Sequence, residues 1–176
     1  LVEDENLIRR GLPADKLHPF GIPVSPAFDS PLPRQEARAR LGIPEEKKLF
    51  LIMTGGVGCG NIAALCDGLL ADDSSDFLAL VLTGKNDKLR EELTARYAGD
   101  HRVQAVPFTR EVNLYMNASD VLITKPGGLS STEAAAACID RFISVNALIS
   151  GRVLSLQLFR QDSLKLFDAQ GADVTD

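Results

Sequence analysis

Two adjacent glycines between an apolar run and a helix start are the chemically richest place in this sequence. In Thr124-Lys125-Pro126-Gly127-Gly128-Leu129-Ser130-Ser131-Thr132-Glu133, the preceding Val121-Leu122-Ile123 reads as a buried strand. Gly127 and Gly128 free the backbone to approach a ligand closely, and Ser130 with Glu133 has capping-box spacing. A helix opening there turns unpaired N–H groups and the positive end of its dipole toward the turn, an arrangement suited to a diphosphate. The same spacing also fits an ordinary strand-to-helix turn in which Glu133 only caps the helix.

Three further loops carry residues of the same kind. Thr54-Gly55-Gly56-Val57-Gly58-Cys59-Gly60-Asn61 follows an apolar run, and its glycines can expose backbone N–H groups to an anion. Gly58, Gly60 and Ala63 even satisfy the G-x-G-x-x-A spacing of a dinucleotide fold. The next strand, however, ends Val81-Leu82-Thr83-Gly84-Lys85, with no acidic residue to take a ribose hydroxyl, which counts against NAD or FAD. The P-loop pattern G-x-x-x-x-G-K-[ST] is missing as well. In Thr83-Gly84-Lys85-Asn86-Asp87, Asn86 suits a helix cap and Lys85 is available to a phosphate; the alternative is a solvated turn. Pro107-Phe108-Thr109 could lay the Phe108 ring against a planar base, or Phe108 could simply belong to the core.

The elements that must position these loops alternate along the chain. Leu49 to Met53, Phe77 to Leu82, Val103 to Val106, Val121 to Ile123 and Phe142 to Val145 read as strands. Between them, Asn61 to Leu70 places Ile62, Leu65, Cys66 and Leu69 on one helical face, Asn86 to Tyr97 turns Leu89 and Leu93 inward, and Glu111 to Met116 and Ala134 to Cys138 continue the alternation. Strands this apolar imply an α/β fold with a doubly wound, Rossmann-like parallel sheet covered on both faces. Ligands in such sheets sit beyond the carboxyl ends of the strands, where all the glycine-bearing loops fall. Ahead of this ladder, Val2 to Arg10 has a weak helical pattern and the prolines between Pro19 and Pro26 favour extended backbone. Pro33 is expected in the first turn of a helix that stops at Gly42.

Bulk properties narrow the classes. With 176 residues, 45% of them hydrophobic, the chain can bury a core of ordinary size. A net charge of −5 and scattered Lys and Arg argue against nucleic acid as a partner. Cys59, Cys66 and Cys138 form no CxxC, and His18 and His101 stand far apart, so neither a disulfide framework nor a metal site is expected. The longest apolar runs are strand-sized, and a cytoplasmic location is expected. Because the chain starts at Leu1 and not Met, it is expected to be a piece of a longer protein.

Taken in order, Gly21-Ile22-Pro23-Val24-Ser25-Pro26, the glycine loop from Gly55 to Gly60, Gly84-Lys85-Asn86, Met116-Asn117-Ala118-Ser119-Asp120 and Thr124-Lys125-Pro126-Gly127-Gly128 with Glu133 resemble the monogalactosyldiacylglycerol synthase and processive diacylglycerol glucosyltransferase family. The resemblance covers about residues 10 to 150. It implies the C-terminal, donor-binding half of a two-domain GT-B glycosyltransferase: residues 1–26 as the end of a preceding domain and a connector, residues 27–176 as the UDP-sugar domain. By the same analogy Gly56 and Gly58 approach the donor phosphates, and the turn residues Lys85, Asn86 and Lys125 are further donor-binding candidates. Phe108 lies by the uracil, Gly127, Gly128 and Ser130 hold the diphosphate, and Glu133 binds the ribose hydroxyls. The implied activity is hexosyl transfer to diacylglycerol, with UDP-sugar as co-substrate and no cofactor or metal. A lipid acceptor, a membrane surface and the acceptor-binding N-terminal domain would be met through the other half, which places the whole protein peripherally at the membrane. No catalytic residue is expected in this half.

The pattern breaks after Val145. Where the family carries acidic and amide groups that meet the donor sugar, Ser150-Gly151-Arg152-Val153-Leu154-Ser155-Leu156-Gln157 offers Val153 and Leu156, which cannot accept hydrogen bonds from sugar hydroxyls. This keeps open a non-catalytic or diverged nucleotide-binding module, or a UDP-sugar epimerase of the same fold.

Overall fold

Prolines and glycines punctuate the first forty residues, and little regular structure forms there. The computed structural model describes residues 2–18, 21–53, 61–71, 76–125, 127–137, 139, 141–145, 148–149, 152–153, 156–160 and 163–167. Helix α1 (Val2–Arg9) is followed by two single-turn 3-10 segments, Ala14–Lys16 and Pro26–Phe28. Helix α2 (Arg34–Leu41) ends at Gly42 as the sequence predicts, but Pro33 is its cap and lies just outside the first turn.

Five parallel strands then form the body of the sheet: β1 (Lys48–Met53), β2 (Phe77–Gly84), β3 (Val103–Pro107), β4 (Val121–Thr124) and β5 (Arg141–Val145). The crossovers are α3 (Ile62–Leu70), α4 (Asp87–Arg96), α5 (Val112–Ala118) and α6 (Gly128–Ala136). Each strand's period of two splits its apolar residues between the faces. Leu49, Leu51, Leu78, Leu80, Leu82 and Leu122 pack on Phe28, Ala37, Leu114, Met116 and Ala134. On the other face Ile52, Phe77, Ala79, Val81, Val121 and Ile123 pack on Ile62, Cys66, Leu93 and Tyr97. The sheet is therefore doubly wound, as its continuous apolar strands predict. Burying each of these leucines contributes about 2 kcal/mol relative to exposure.

The sheet does not stop at β5. Two further strands, β8 (Leu156–Arg160) and β9 (Ser163–Phe167), extend it antiparallel, and β6 (Leu148–Ile149) pairs with β7 (Arg152–Val153) in a separate ribbon. The full order is β3-β2-β1-β4-β5-β8-β9. The expected doubly wound parallel sheet is thus present and carries an antiparallel extension at one edge. Leu156, Leu158, Leu164 and Leu166 alternate with Gln157 and Lys165, the period-two pattern of antiparallel strands, and only two residues separate β8 from β9.

Polar side chains fasten the amino ends of the strands. Arg38 on α2 is 3% exposed and donates to the carbonyls of Ala118, Pro44, Glu45 and Lys47 and to Asp120 Oδ2 at 2.6 Å. The same Asp120 oxygen accepts the Leu49 amide at 2.7 Å, and Arg34 donates to Asp120 Oδ1. Burial works against the Asp120 charge, yet the Leu49 amide and the two guanidiniums outweigh it and hold the carboxyl below its usual value. On the opposite face, Tyr97 donates to Ala63 O and Asp67 Oδ1, and Arg96 pairs with Asp67, which joins α3 to α4.

Candidate functional site

Strand order locates the site. From β1 the chain runs to β2 and β3 on one side and then crosses to β4 on the other, so the direction of winding reverses between β1 and β4. Loops leaving the two strands at such a reversal diverge and leave a crevice above their carboxyl ends. Met53 pairs with both Leu82 and Thr124, and Gly84 with Pro107. Lys85, Phe108 and Lys125 therefore leave the same edge of the sheet, with the ends of β2 and β4 about 10 Å apart across β1. Gly56 and Gly58 follow β1 in sequence and lie outside the described residues.

At the end of β2, Gly84 has a φ of 58°, a left-handed conformation that glycine adopts without strain. Thr83 Oγ1 donates to Val106 O at 3.0 Å, locking this turn to the end of β3. Lys85 stands exposed with its Nζ 5.8 Å from the centre of the Phe108 ring. Phe108 itself is 57% exposed, so the reading of it as a core side chain is corrected: the ring is open to solvent beyond the strand. An exposed aromatic face beside a cation is the chemistry that stacks on a base and attracts the phosphate attached to it. Asn86 is committed to the helix, its Oδ1 accepting the Leu89 amide at 3.0 Å as the cap of α4.

At the end of β4 the helix starts earlier than its spacing suggests. Gly127 is the cap residue of α6 and Gly128 its first helical residue, which places Ser130 inside the first turn; the predicted Ser130–Glu133 capping box is not formed. Ser131 Oγ donates back to the carbonyls of Gly127 and Gly128, and Thr132 Oγ1 to Gly128 O, so these hydroxyls serve acceptors and leave the first amides alone. Among the described residues no side chain caps the helix. The amino end of α6 thus offers backbone donors and a positive dipole beside the crevice, next to the exposed Lys125. Gly127 has φ −145° and ψ 133°, ordinary extended values, so special backbone freedom is not what this turn uses. At Gly128 a Cβ would meet the tip of the Ile22 side chain of the connector, which would have to shift. Sequence reasoning assigned Ile22 no role, and no spacing rule links it to Gly128.

Glu133 lies in the second turn of α6, half-buried. Desolvation raises its carboxyl above the usual glutamate value, and among the described residues no hydrogen bond or ion pair offsets that. Helical side chains lean toward the amino end of their helix, which brings this acceptor back over the turn that begins at Gly128. Asp120, in the Met116–Asp120 stretch, sits at the opposite pole as the clamp described above and serves the fold. Among the described residues no helix is long and apolar enough to cross a membrane.

Comparison with known proteins agrees with this arrangement. No protein-family model matches the chain. It is 31% identical over 134 residues to a processive diacylglycerol beta-glucosyltransferase of Bacillus pumilus (strain SAFR-032), covering 75% of this chain and 34% of that protein. To the Bacillus subtilis (strain 168) protein of the same name it is 33% identical over 135 residues, covering 75% and 35%. The similarity read from the motifs is thus the one these relatives display. Among solved structures, the chain superposes on WaaG, a glycosyltransferase involved in lipopolysaccharide biosynthesis, with a TM-score of 0.53, 21% identity and coverage of 65% of this chain and 34% of that one. That likeness establishes a shared fold. The chain spans about a third of the length of the curated relatives it matches.

Proposed function

We propose that this chain, similar over three quarters of its length to processive diacylglycerol β-glucosyltransferases, is the donor-nucleotide-binding half of a UDP-sugar-dependent glycosyltransferase that makes glycolipids. The observation that carries the reading is the uncapped amino end of α6, set at the β1/β4 reversal with the unpartnered Glu133 one turn on. In this reading the Gly128, Leu129 and Ser130 amides hold the diphosphate, Lys85 and Lys125 lend it positive charge, and Phe108 stacks on the uracil. Glu133 accepts the ribose hydroxyls, whose hydrogen bonds offset its desolvation.

The chemistry that follows is displacement at the anomeric carbon. An acceptor hydroxyl attacks, the bond to the diphosphate oxygen breaks, and the α6 amides stabilise the charge that develops on the leaving group. The acceptor site, the proton-accepting group and the surface that meets lipid are proposed to lie in the remainder of the protein, so this chain binds without turning over. A second reading, a nucleotide-binding module without transfer, draws on Val153 and Leu156, which stand where sugar-contacting groups are expected and fall in β7 and at the start of β8. Calorimetric titration tests both against the nucleotide itself. UDP should bind, and Glu133→Ala should weaken it at least about tenfold, the cost of leaving two ribose hydroxyls unpaired. A folded protein that ignores UDP, UDP-glucose and UDP-galactose would end the proposal.

A further inference from the structure

The connector reaches the same turn. Gly21 takes a φ of 77°, and the residue after it, Ile22, lies against the start of α6. A Cβ at Gly128 would stand 2.5 Å from Ile22 Cδ1 and 3.9 Å from its Cγ1, so the isoleucine tip fills the space that any larger residue at 128 would need. Ile22 nevertheless keeps 47% of its surface exposed, and Leu129, which follows Gly128 in the helix, keeps 51%. A side chain this open contributes little to the core. Its tip lies instead beside the first residue of α6.

We propose that Ile22 is a positioning residue for the diphosphate: seated on Gly128, it walls one side of the α6 amino end and keeps water from the amide–phosphate contacts. This rests on the reading of α6 as the diphosphate site. Hydrogen bonds to a charge strengthen when the surroundings lose water, because the local dielectric falls. The effect acts on the phosphates alone, since Phe108 meets the base from the end of β3.

Titrations of the wild-type chain, Ile22→Ala and Ile22→Val with UDP and with uridine test the assignment. Ile22→Ala is expected to weaken UDP about fivefold and Ile22→Val by less than about twofold, in proportion to the hydrocarbon removed. Uridine affinity should be the same in all three. Gly128→Ala supplies a second arm: with Ile22 present the added methyl displaces the isoleucine, so it should cost more UDP affinity than in an Ile22→Ala background. An unchanged UDP affinity in Ile22→Ala, an equal loss toward uridine and UDP, or an equal cost of Gly128→Ala in both backgrounds overturns the role of Ile22. A wild-type protein that is folded and indifferent to UDP removes the nucleotide reading instead, and the role of Ile22 with it.

Discussion

Asp120 and Glu133 are carboxylates on either side of β4, and their surroundings drive them in opposite directions. Asp120 precedes the strand and meets an amide and two guanidiniums, so it stays ionised against its burial. Glu133 follows the strand and meets no donor among the described residues, so burial raises it. At the amino pole Arg38 and Asp120 are held by internal partners, whereas the carboxyl pole presents an uncapped helix, an open ring and exposed lysines. The internally paired Arg38 and Asp120 specify the fold, while the open donors at the carboxyl pole are available to a ligand.

The sharpest way to break this contrast is to remove the satisfied carboxylate. Asp120→Asn should destabilise the protein by about 3 kcal/mol in urea denaturation, because it strands the buried Arg38 charge. The folded fraction should still bind UDP with wild-type affinity. The Asp120 contribution is present above the ordinary aspartate range and is lost as pH falls through the depressed value. A stability change below the error of the measurement would mean that the clamp is ornamental. Phe108→Ala probes the other pole and should do the reverse: affinity for UDP and uridine falls about tenfold, as for a lost stacking partner, with no shift in thermal midpoint. Weakened stability without weakened binding would return the ring to the core. The smallest effect concerns Glu133 and pH. Its raised value means that UDP binding weakens on acidification at a pH above 4.5, the ordinary glutamate value, while protonation relieves its desolvation and favours the fold. Glu133→Gln should flatten that pH dependence in calorimetry; an identical profile in the variant would move the titrating group elsewhere.

Much of this was legible beforehand, for a physical reason. Strands buried on both faces, such as β2 with seven successive buried residues, leave continuous apolar runs that a sequence displays directly. The positions of the glycine-bearing loops at strand ends follow from that ladder. The helix start at Gly128 was misplaced because Ser and Glu three residues apart occur inside helices as well as at their caps, and here Ser130 falls inside. The hairpin of β8 and β9 lies almost wholly beyond Gln157, past the end of the motif resemblance, and only a short period-two alternation marks its strands. Contacts between distant segments leave no local trace: Arg38 meets Asp120 across 82 residues, and Ile22 meets Gly128 across a longer span.

The guanidinium of Arg38 has a mechanical consequence. It stitches α2 simultaneously to the segments entering β1 and β4, at the middle of the sheet. Tension arriving along α2 is therefore shared between the apolar packing of Ala37 and Phe28 and a polar knot at the base of the molecule. With Phe28 buried just ahead of it, α2 travels with the sheet like a handle on its blade.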